Sequence, residues 1–314
     1  MTRLSEALQR AAETTGDSVM LRDDGAATAK WQLPVEVSQP GPVPPSASEP
    51  DLRVAAAPAP PASALASRFS TEERSRMVIG PDADAALVEQ YRHLAAVLHH
   101  AQGESGCRSV MITSALPSEG KTLTATNLAL TLSESYQRRV LLIDADLRRP
   151  RIKDMFSLAS GEGLTDCLNN PRGDKLPVHQ ITPTLWVLTA GRATADPMST
   201  LVSGSMKQLL DDAREAFDWV VVDTPPIAIL PDANLLAAMI DTALLVVRAA
   251  ATPYPMVQRA AQAMGPSRIL GVVLNRAEKS GMASVYGYYA RMGTSRLDAR
   301  PQWFGRRRGV PHVQ

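Results

Sequence analysis

Apolar residues follow two alternating patterns along this chain from about residue 84 onward. Short, almost continuously apolar runs have the length of buried strands, and they lie at Ser109–Thr113, Arg139–Ile143, Leu185–Thr189, Trp219–Val222, Ala243–Val247 and Ile269–Leu274. Between them apolar residues recur at helical spacing, in Asp84–Gln102, the stretch ending at Leu132, Ser205–Ala216, Asp232–Met239 and Met256–Met264. Strands that are apolar on both faces and separated by helices indicate a doubly wound α/β fold with a mostly parallel sheet. Its ligand is expected at the carboxyl ends of the strands.

The chain before this pattern has a different composition. Residues 1–14 carry apolar side chains at helical spacing and predict a short amphipathic helix, although a frayed terminus is an equal alternative. Nine prolines lie between Pro34 and Pro61, together with many alanines, so residues 15–76 are predicted to form a disordered linker. We expect the folded domain to occupy residues 77–280, followed by a flexible tail over residues 281–314.

Composition and charge narrow the class of protein. The 314 residues include 33 basic and 32 acidic side chains, a net charge of +1, which argues against binding of nucleic acid over a wide surface. Cys107 and Cys167 have no Cys or His neighbours at metal-ligand spacing, so neither a disulfide nor a zinc site is predicted. No apolar stretch approaches the ~18 residues expected of a spanning helix. These features predict a cytoplasmic protein.

The segment Ser114–Thr122 reads Ser-Ala-Leu-Pro-Ser-Glu-Gly-Lys-Thr and joins a predicted strand to a predicted helix, as a phosphate-binding loop does. Its backbone N–H groups are expected to face a nucleotide phosphate, Lys121 to neutralise the β and γ oxygens, and Thr122 to ligate Mg²⁺. Ala115 stands where the usual pattern has its first glycine. The predicted nucleotide contacts in this segment are Ser118, Glu119, Gly120, Lys121, Thr122 and Leu123.

Carboxylates follow two other predicted strands. Asp223 ends the strand that begins at Trp219, while Asp144 and Asp146 end the strand before them. A single Asp at a strand end is usually a cap or a turn former, but three loops converging on one sheet edge favour a shared site. Asp146, Asp223 and Thr122 are therefore predicted as the metal-side ligands, and Asp144 or Asp146 as a proton acceptor.

Two further charged residues, far apart in the sequence, are interpreted separately. The Arg148 guanidinium is suited to a phosphate or to a carboxylate, and an ordinary surface position is nearly as good an interpretation. Asp232 is expected to cap the helix that follows it.

Three segments together resemble the bacterial tyrosine kinases of capsule and exopolysaccharide synthesis. They are Ser114–Thr122, the run Asp144-Ala-Asp-Leu-Arg148-Arg-Pro, and Asp223-Thr-Pro-Pro. In that family they correspond to the Walker A, Walker A′ and Walker B motifs, which implies a P-loop fold, ATP and Mg²⁺ as ligands, and Lys121, Asp144, Asp146 and Asp223 as catalytic residues. The run ending at Asn275-Arg276 looks like the segment that contacts adenine in related ATPases.

The main alternative is the MinD/ParA group, which shares this fold and uses ATP as an assembly switch. That group carries a lysine five residues before the phosphate-loop lysine, where this chain has Leu116. The leucine and the Asp144/Asp146 pair favour the kinase family. A third alternative is a scaffold in which nucleotide binding is only structural.

The resemblance also implies acceptors and partners. The family phosphorylates a carboxyl-terminal tyrosine cluster on a neighbouring subunit, and this chain has Tyr286, Tyr288 and Tyr289, although packing is an alternative role. The upstream helix has Glu89 and Arg92 of the family's assembly pattern Glu-x-x-Arg-x-x-Arg, but Ala95 replaces the second arginine. The implied partners are further copies of this chain, a membrane protein of the chain-length-determinant (co-polymerase) type and a tyrosine phosphatase. Membrane association is expected through the co-polymerase. The basic tail after Tyr289 has two equal interpretations, a contact to anionic lipid or a segment that only solvates.

Overall fold

The computed structural model of the chain describes Phe69 and residues 76–80, 83–170, 176–194, 196–202 and 204–277. The predicted amphipathic helix at residues 1–14, almost all of the predicted linker and the tail with its tyrosines lie outside the described residues. Phe69, which composition assigned to the linker, is buried and packs on Phe156 with ring centroids 5.4 Å apart.

The fold is built on one seven-stranded sheet, and the predicted doubly wound arrangement is confirmed. In chain order the strands are β1 (Ser109–Ser114), β2 (Val140–Asp144), β3 (His179–Thr182), β4 (Leu185–Leu188), β5 (Trp219–Asp223), β6 (Thr242–Arg248) and β7 (Ile269–Asn275). Across the sheet their order is β3-β4-β2-β5-β1-β6-β7. All neighbouring pairs are parallel except β3 with β4.

Eight α-helices connect the described strands. They are α1 (Ala85–Ser105), α2 (Lys121–Glu134), α3 (Ile152–Met155), α4 (Leu164–Asn169), α5 (Pro197–Val202), α6 (Gly204–Ala216), α7 (Pro231–Met239) and α8 (Tyr254–Met264), with a 3₁₀ turn at Pro266–Arg268. No helix in the described ranges is long and apolar enough to span a bilayer.

Alternate residues of each central strand pack into cores on opposite faces of the sheet. On β1, Met111 joins one core, while Val110 and Ile112 join the other. Trp219 of β5 is completely buried, as predicted, and Cys107 and Cys167 are both free thiols. Two-sided burial explains why these strands are continuously apolar in sequence.

The strand β3 was not predicted. It is a four-residue edge strand that pairs antiparallel with β4 through an irregular register, and its first two residues are only half-buried. Because β3 lies at the edge of the sheet and its first two residues are only half-buried, His179 and Gln180 interrupt the apolar pattern that identified the other strands.

The topology brings the predicted site residues to one edge. Strand β5 lies between β1 and β2, so the chain segments that leave these three strands are neighbours. Asp144 at the end of β2 pairs in register with Asp223 at the end of β5, and the Ala145 amide donates to the Asp223 carbonyl over 2.9 Å. The carboxyl edge of β1, β5 and β2 therefore forms the floor of a single crevice.

Candidate nucleotide-binding site

The phosphate loop runs from the end of β1 to the start of α2, where Lys121 is the first helical residue. Ser118 has a φ of 64° and Gly120 a φ of 96°. Left-handed residues within a turn of this kind direct successive N–H groups to one side, which suits an anion at the start of the helix. The positive φ favours glycine at position 120, and a Cβ there would lie 1.9 Å from Nδ2 of Asn275 and so displace that side chain.

Ala115 is accommodated without strain at the position where a glycine is usual. Its φ is not positive, and its methyl group is completely buried in the core beside β1. The loop at this point therefore does not need the conformational freedom of glycine, and a small apolar side chain packs under it.

Two of the predicted nucleotide contacts use their side chains to hold the loop itself. The Glu119 carboxylate is buried and accepts hydrogen bonds from the Leu116 amide, at 2.7 Å, and from the Thr252 hydroxyl in the segment after β6. Asn275 Nδ2 donates to the Glu119 carbonyl over 2.7 Å. The backbone amide of Glu119 is therefore the group of this residue that is able to face a phosphate. The Asn275 side chain braces the loop, a contact that the sequence did not reveal.

Two further predicted contacts are Leu123 and Arg276. Leu123 is half-buried in the first turn of α2, where it packs against the core on that face. Arg276 follows β7 with a φ of 56°, and its amide donates to Asn275 Oδ1 over 2.9 Å. Both positions remain predictions as ligand contacts.

Lys121 lies among three carboxylates. Its Nζ is 2.7 Å from Asp146 Oδ2 and 3.4 Å from the Thr122 hydroxyl. Burial lowers the pKa of Lys121, but the charges of Asp223, Asp146 and Asp144 outweigh this effect and raise its pKa above the ordinary value. The side chain therefore carries a firm positive charge at the point where the loop expects phosphate oxygens.

Asp144 and Asp223 form a buried carboxylate pair, and neither side chain is accessible to solvent. Asp144 Oδ2 accepts the amides of Arg151 and Ile152 at 3.0 and 2.9 Å, which anchors the turn before α3, whereas its Oδ1 has no hydrogen bond. Burial, assisted by the charge of Asp223, raises the pKa of Asp144 to about 7.

Asp223 has no hydrogen bond to either of its carboxyl oxygens. Burial raises its pKa to about 6, against the opposing effect of Lys121. The Thr122 hydroxyl and the Thr224 amide are near enough to favour its charged form, although neither reaches hydrogen-bonding geometry. Buried carboxyl oxygens without partners are costly unless a cation or donor completes them.

These unsatisfied oxygens, together with the Thr122 hydroxyl, fit Mg²⁺. The described residues contain no group of three or more His, Cys, Asp or Glu side chains that could hold a metal by themselves. Mg²⁺ typically takes one or two carboxylates and completes its octahedron with substrate phosphates and water, so the small donor set here suits it better than a metal that needs a protein cage.

The structure corrects the expectation for Asp232. The N-cap of α7 is Leu230, which has no side-chain cap, and Asp232 lies in the first turn of the helix. Its carboxylate pairs with Arg148, with Nε–Oδ2 at 2.5 Å and Nη2–Oδ1 at 3.2 Å. Of the alternatives for Arg148, the structure shows the carboxylate partner. Arg148 and Asp232 pair because they are close in space, although they are far apart in the sequence.

Of the predicted site residues, the structure brings Lys121, Thr122, Asp144, Asp146 and Asp223 into one crevice beneath the phosphate loop. Tyr286, Tyr288 and Tyr289 lie outside the described residues. Sequence reasoning missed Thr252 and the bracing role of Asn275, because each acts through a partner more than a hundred positions away.

Several known proteins of similar sequence and structure are named as tyrosine kinases. The tyrosine-protein kinase YwqD of Bacillus subtilis is 38% identical over 204 residues, covering 64% of this chain and 85% of YwqD. The succinoglycan biosynthesis transport protein ExoP of Rhizobium meliloti is 36% identical over 203 residues, 62% of this chain, but these span only 25% of ExoP. The kinase domain of the Escherichia coli tyrosine kinase ETK superposes with a TM-score of 0.55 at 32% identity, covering 62% of this chain and 78% of that domain. No family model matches the chain.

A phosphate loop at the start of a helix, with carboxylates at the ends of two adjacent parallel strands, defines a P-loop nucleotide-binding protein. The extent and identity of the match to YwqD define it further. The chain belongs to the family of bacterial tyrosine-protein kinases, and its enzyme class is protein-tyrosine kinase.

Proposed function

We propose that this chain transfers the γ-phosphoryl group of ATP to Tyr286, Tyr288 and Tyr289 of a neighbouring copy. The observation that carries the proposal is the crevice in which Lys121 and the carboxylates of Asp144, Asp146 and Asp223 meet beneath the phosphate loop. A crevice that only stored nucleotide would gain nothing from buried carboxyl oxygens that lack partners.

The chain's own groups divide the work of the transfer. The phosphate loop and Lys121 hold the β and γ oxygens, while Thr122, Asp146 and Asp223 would hold Mg²⁺. Bound Mg²⁺ supplies positive charge against the phosphate oxygens as charge shifts toward the leaving group. The bond from the tyrosine oxygen to phosphorus forms as the bond from phosphorus to the ADP oxygen breaks, and ADP leaves with that electron pair.

Asp144 is the proposed proton acceptor. A tyrosine hydroxyl has a pKa near 10, so its proton needs a base as the new bond forms. Asp146 is engaged by Lys121, whereas Oδ1 of Asp144 has no partner, and the raised pKa of Asp144, about 7, lies close to neutral pH. Oδ1 is buried in the structure, so the proposed transfer of the hydroxyl proton requires the acceptor tyrosine or one water molecule to gain access to it.

A neighbouring copy is proposed as the source of the acceptor, and the upstream helix offers a surface for it. Glu89 and Arg92 on α1 are about half exposed and pair with one another at 3.5 Å. Ala95, at the third position of the assembly pattern, is completely buried on the face that packs on the domain. An arginine at this position would point into the core, so the surface for assembly has to be built around Glu89 and Arg92.

The biological setting is proposed from the relatives. ExoP is named for succinoglycan biosynthesis and transport, and regulation of exopolysaccharide or capsule polymerisation and export is the corresponding role for this chain. We propose a separate membrane co-polymerase as its partner, a phosphatase that reverses the modification, and a position at the inner face of the membrane through the co-polymerase. Each phosphotyrosine adds about −1.5 to −2 charges and so can change contacts between copies.

Incubation of the purified protein with labelled ATP and Mg²⁺, followed by mapping of phosphorylated residues, tests the proposal. Phosphotyrosine is expected in the cluster, and it should disappear when Tyr286, Tyr288 and Tyr289 are all changed to Phe. The matched control is Tyr254→Phe, since Tyr254 is an exposed tyrosine of α8 outside the cluster. ATP hydrolysis without any phosphotyrosine, even with the membrane partner added, would instead support the assembly-switch alternative.

A further inference from the structure

An ion pair joins the loop that leaves β2 to helix α7, which follows β5. Arg148 is in the loop that carries Asp146, and Asp232 is in the first turn of α7, which follows Asp223. The guanidinium forks onto the carboxylate through Nε and Nη2, at 2.5 and 3.2 Å. This two-point geometry fixes orientation as well as distance, which a single contact does not.

The burial of the two partners is unequal. The Asp232 side chain is 2% exposed and that of Arg148 is 41% exposed. A buried carboxylate is tolerated when it is paired, and the start of a helix favours its negative charge. Asp232 therefore has a fixed position in α7. It holds Arg148, which lies in the loop after β2 that also carries Asp146.

The other contacts of this loop tie it to the end of β5, to itself and to the shared core. Ala145 is tied to the Asp223 carbonyl, and the Arg149 amide bonds back to Asp146 through both the carbonyl and Oδ1 at 3.1 Å. Leu147 is buried in the same core as Ala233 of α7. These contacts form the local turn, and the Arg148–Asp232 pair sets the position of that turn relative to α7.

We propose that Asp232 is a positioning residue for phosphoryl transfer, which acts by holding Arg148 so that the loop places Asp146 beside Lys121. The expected loss of kcat rests on the proposed function, whereas the role of the ion pair in holding the loop does not. Asp146 lies in the loop after β2, whereas Asp223 is the last residue of β5, so the ion pair restrains the Asp146 loop against α7, the helix that follows Asp223. A misplacement of reacting or ligating groups by about 1 Å costs on the order of 100-fold in rate.

The test compares Asp232→Asn, which keeps the shape but removes the charge, with Arg148→Lys, which keeps the charge but removes the fork. Asp212→Asn on the exposed side of α6 is the matched control for the chemical change. Both ion-pair variants are expected to lower kcat for phosphotyrosine formation by about 10- to 100-fold. The Kd for a fluorescent ADP analogue should change little, because the phosphate loop is untouched.

Hydrogen exchange of the nucleotide-free protein provides the readout that does not depend on activity. Peptides covering residues 145–152 should exchange faster in both variants, since the amides of Arg149, Arg151 and Ile152 bond to Asp146 and Asp144. Peptides from α2 should be unchanged. A uniform rise in exchange over the whole domain, or unchanged exchange at 145–152, would overturn the inference. If the wild-type protein forms no phosphotyrosine, the proposed function fails, and the exchange data still decide the role of Asp232.

Discussion

The buried carboxyl of Asp144 makes the stability of the nucleotide-free, metal-free protein depend on pH in an unusual direction. Its pKa is raised from 3.8 to about 7 in the folded chain, so the folded state binds this proton more tightly than the unfolded state. The resulting stabilisation is complete below the unfolded pKa and is lost as the pH rises through the folded one. Most carboxylates with native partners behave in the opposite way, because their pKa is lowered on folding.

The magnitude follows from the shift. The loss of stability through this group is about 1.4 kcal/mol per pH unit near pH 5 and about half of that at pH 7, where the group is half ionised, so it amounts to about 2 kcal/mol between pH 5 and pH 7. Asp223, whose pKa is raised to about 6, shares the titration with Asp144. For a domain of roughly 200 residues each kcal/mol moves Tm by about 2–4 °C, so the expected difference is on the order of 4–8 °C.

The substitution Asp144→Asn isolates this effect. An asparagine Oδ1 can accept the Arg151 and Ile152 amides that Asp144 accepts at present, so the turn before α3 is retained. Burial of the new NH₂ group adds an offset that does not depend on pH and cancels in a comparison across pH. We therefore expect the stability of the variant relative to that of wild type to increase progressively from pH 5 to pH 8.

Thermal melting in EDTA without nucleotide, at half-unit steps from pH 5 to pH 8, measures the difference. Asp212→Asn provides the control for an exposed carboxylate, and its melting curve should follow that of wild type at every pH. If Tm of wild type and of Asp144→Asn changed in parallel with pH, then ionisation of the Asp144 carboxyl would not lower the stability of the folded protein. That result would refute the reasoning.

Three further outcomes are expected. Gly120→Ala should abolish binding of a fluorescent ADP analogue, and adding Asn275→Ala should not restore it, because relieving the 1.9 Å clash leaves the positive φ unrelieved; restored affinity would mean that space alone requires the glycine. Thr252→Val should weaken ADP-analogue binding several-fold while Thr252→Ser retains it, since the hydroxyl braces Glu119; equal affinities would count against the brace. Cys167, whose pKa burial raises to about 11, should be alkylated by iodoacetamide at pH 8 about 100-fold more slowly than a free thiol, measured by mass spectrometry of the tryptic peptide.

The sequence was sufficient for the central strands, the parallel sheet and the phosphate loop. Strands β1, β2, β5 and β6 are buried on both faces, so their apolar runs are continuous and their ends are marked by the first polar residue. Since parallel strands end at the same edge, Asp144, Asp146 and Asp223 could be assigned to one site together with Lys121. The edge strand β3 was missed because partial exposure removes the pattern on which such a prediction depends.

Only the tertiary structure decided which partner each polar side chain takes. Asp232 looked like a helix cap because capping is a local rule, but its partner Arg148 lies 84 positions away. Glu119 and Asn275 were predicted as nucleotide contacts, and 156 positions separate the carbonyl of one from the amide of the other. Periodicity records whether a residue is buried, and motif spacing records what lies at a strand end. Neither pattern indicates which distant segment of the chain lies next to a given residue in the folded protein. Where several partners are chemically suitable, this proximity determines which one the residue binds.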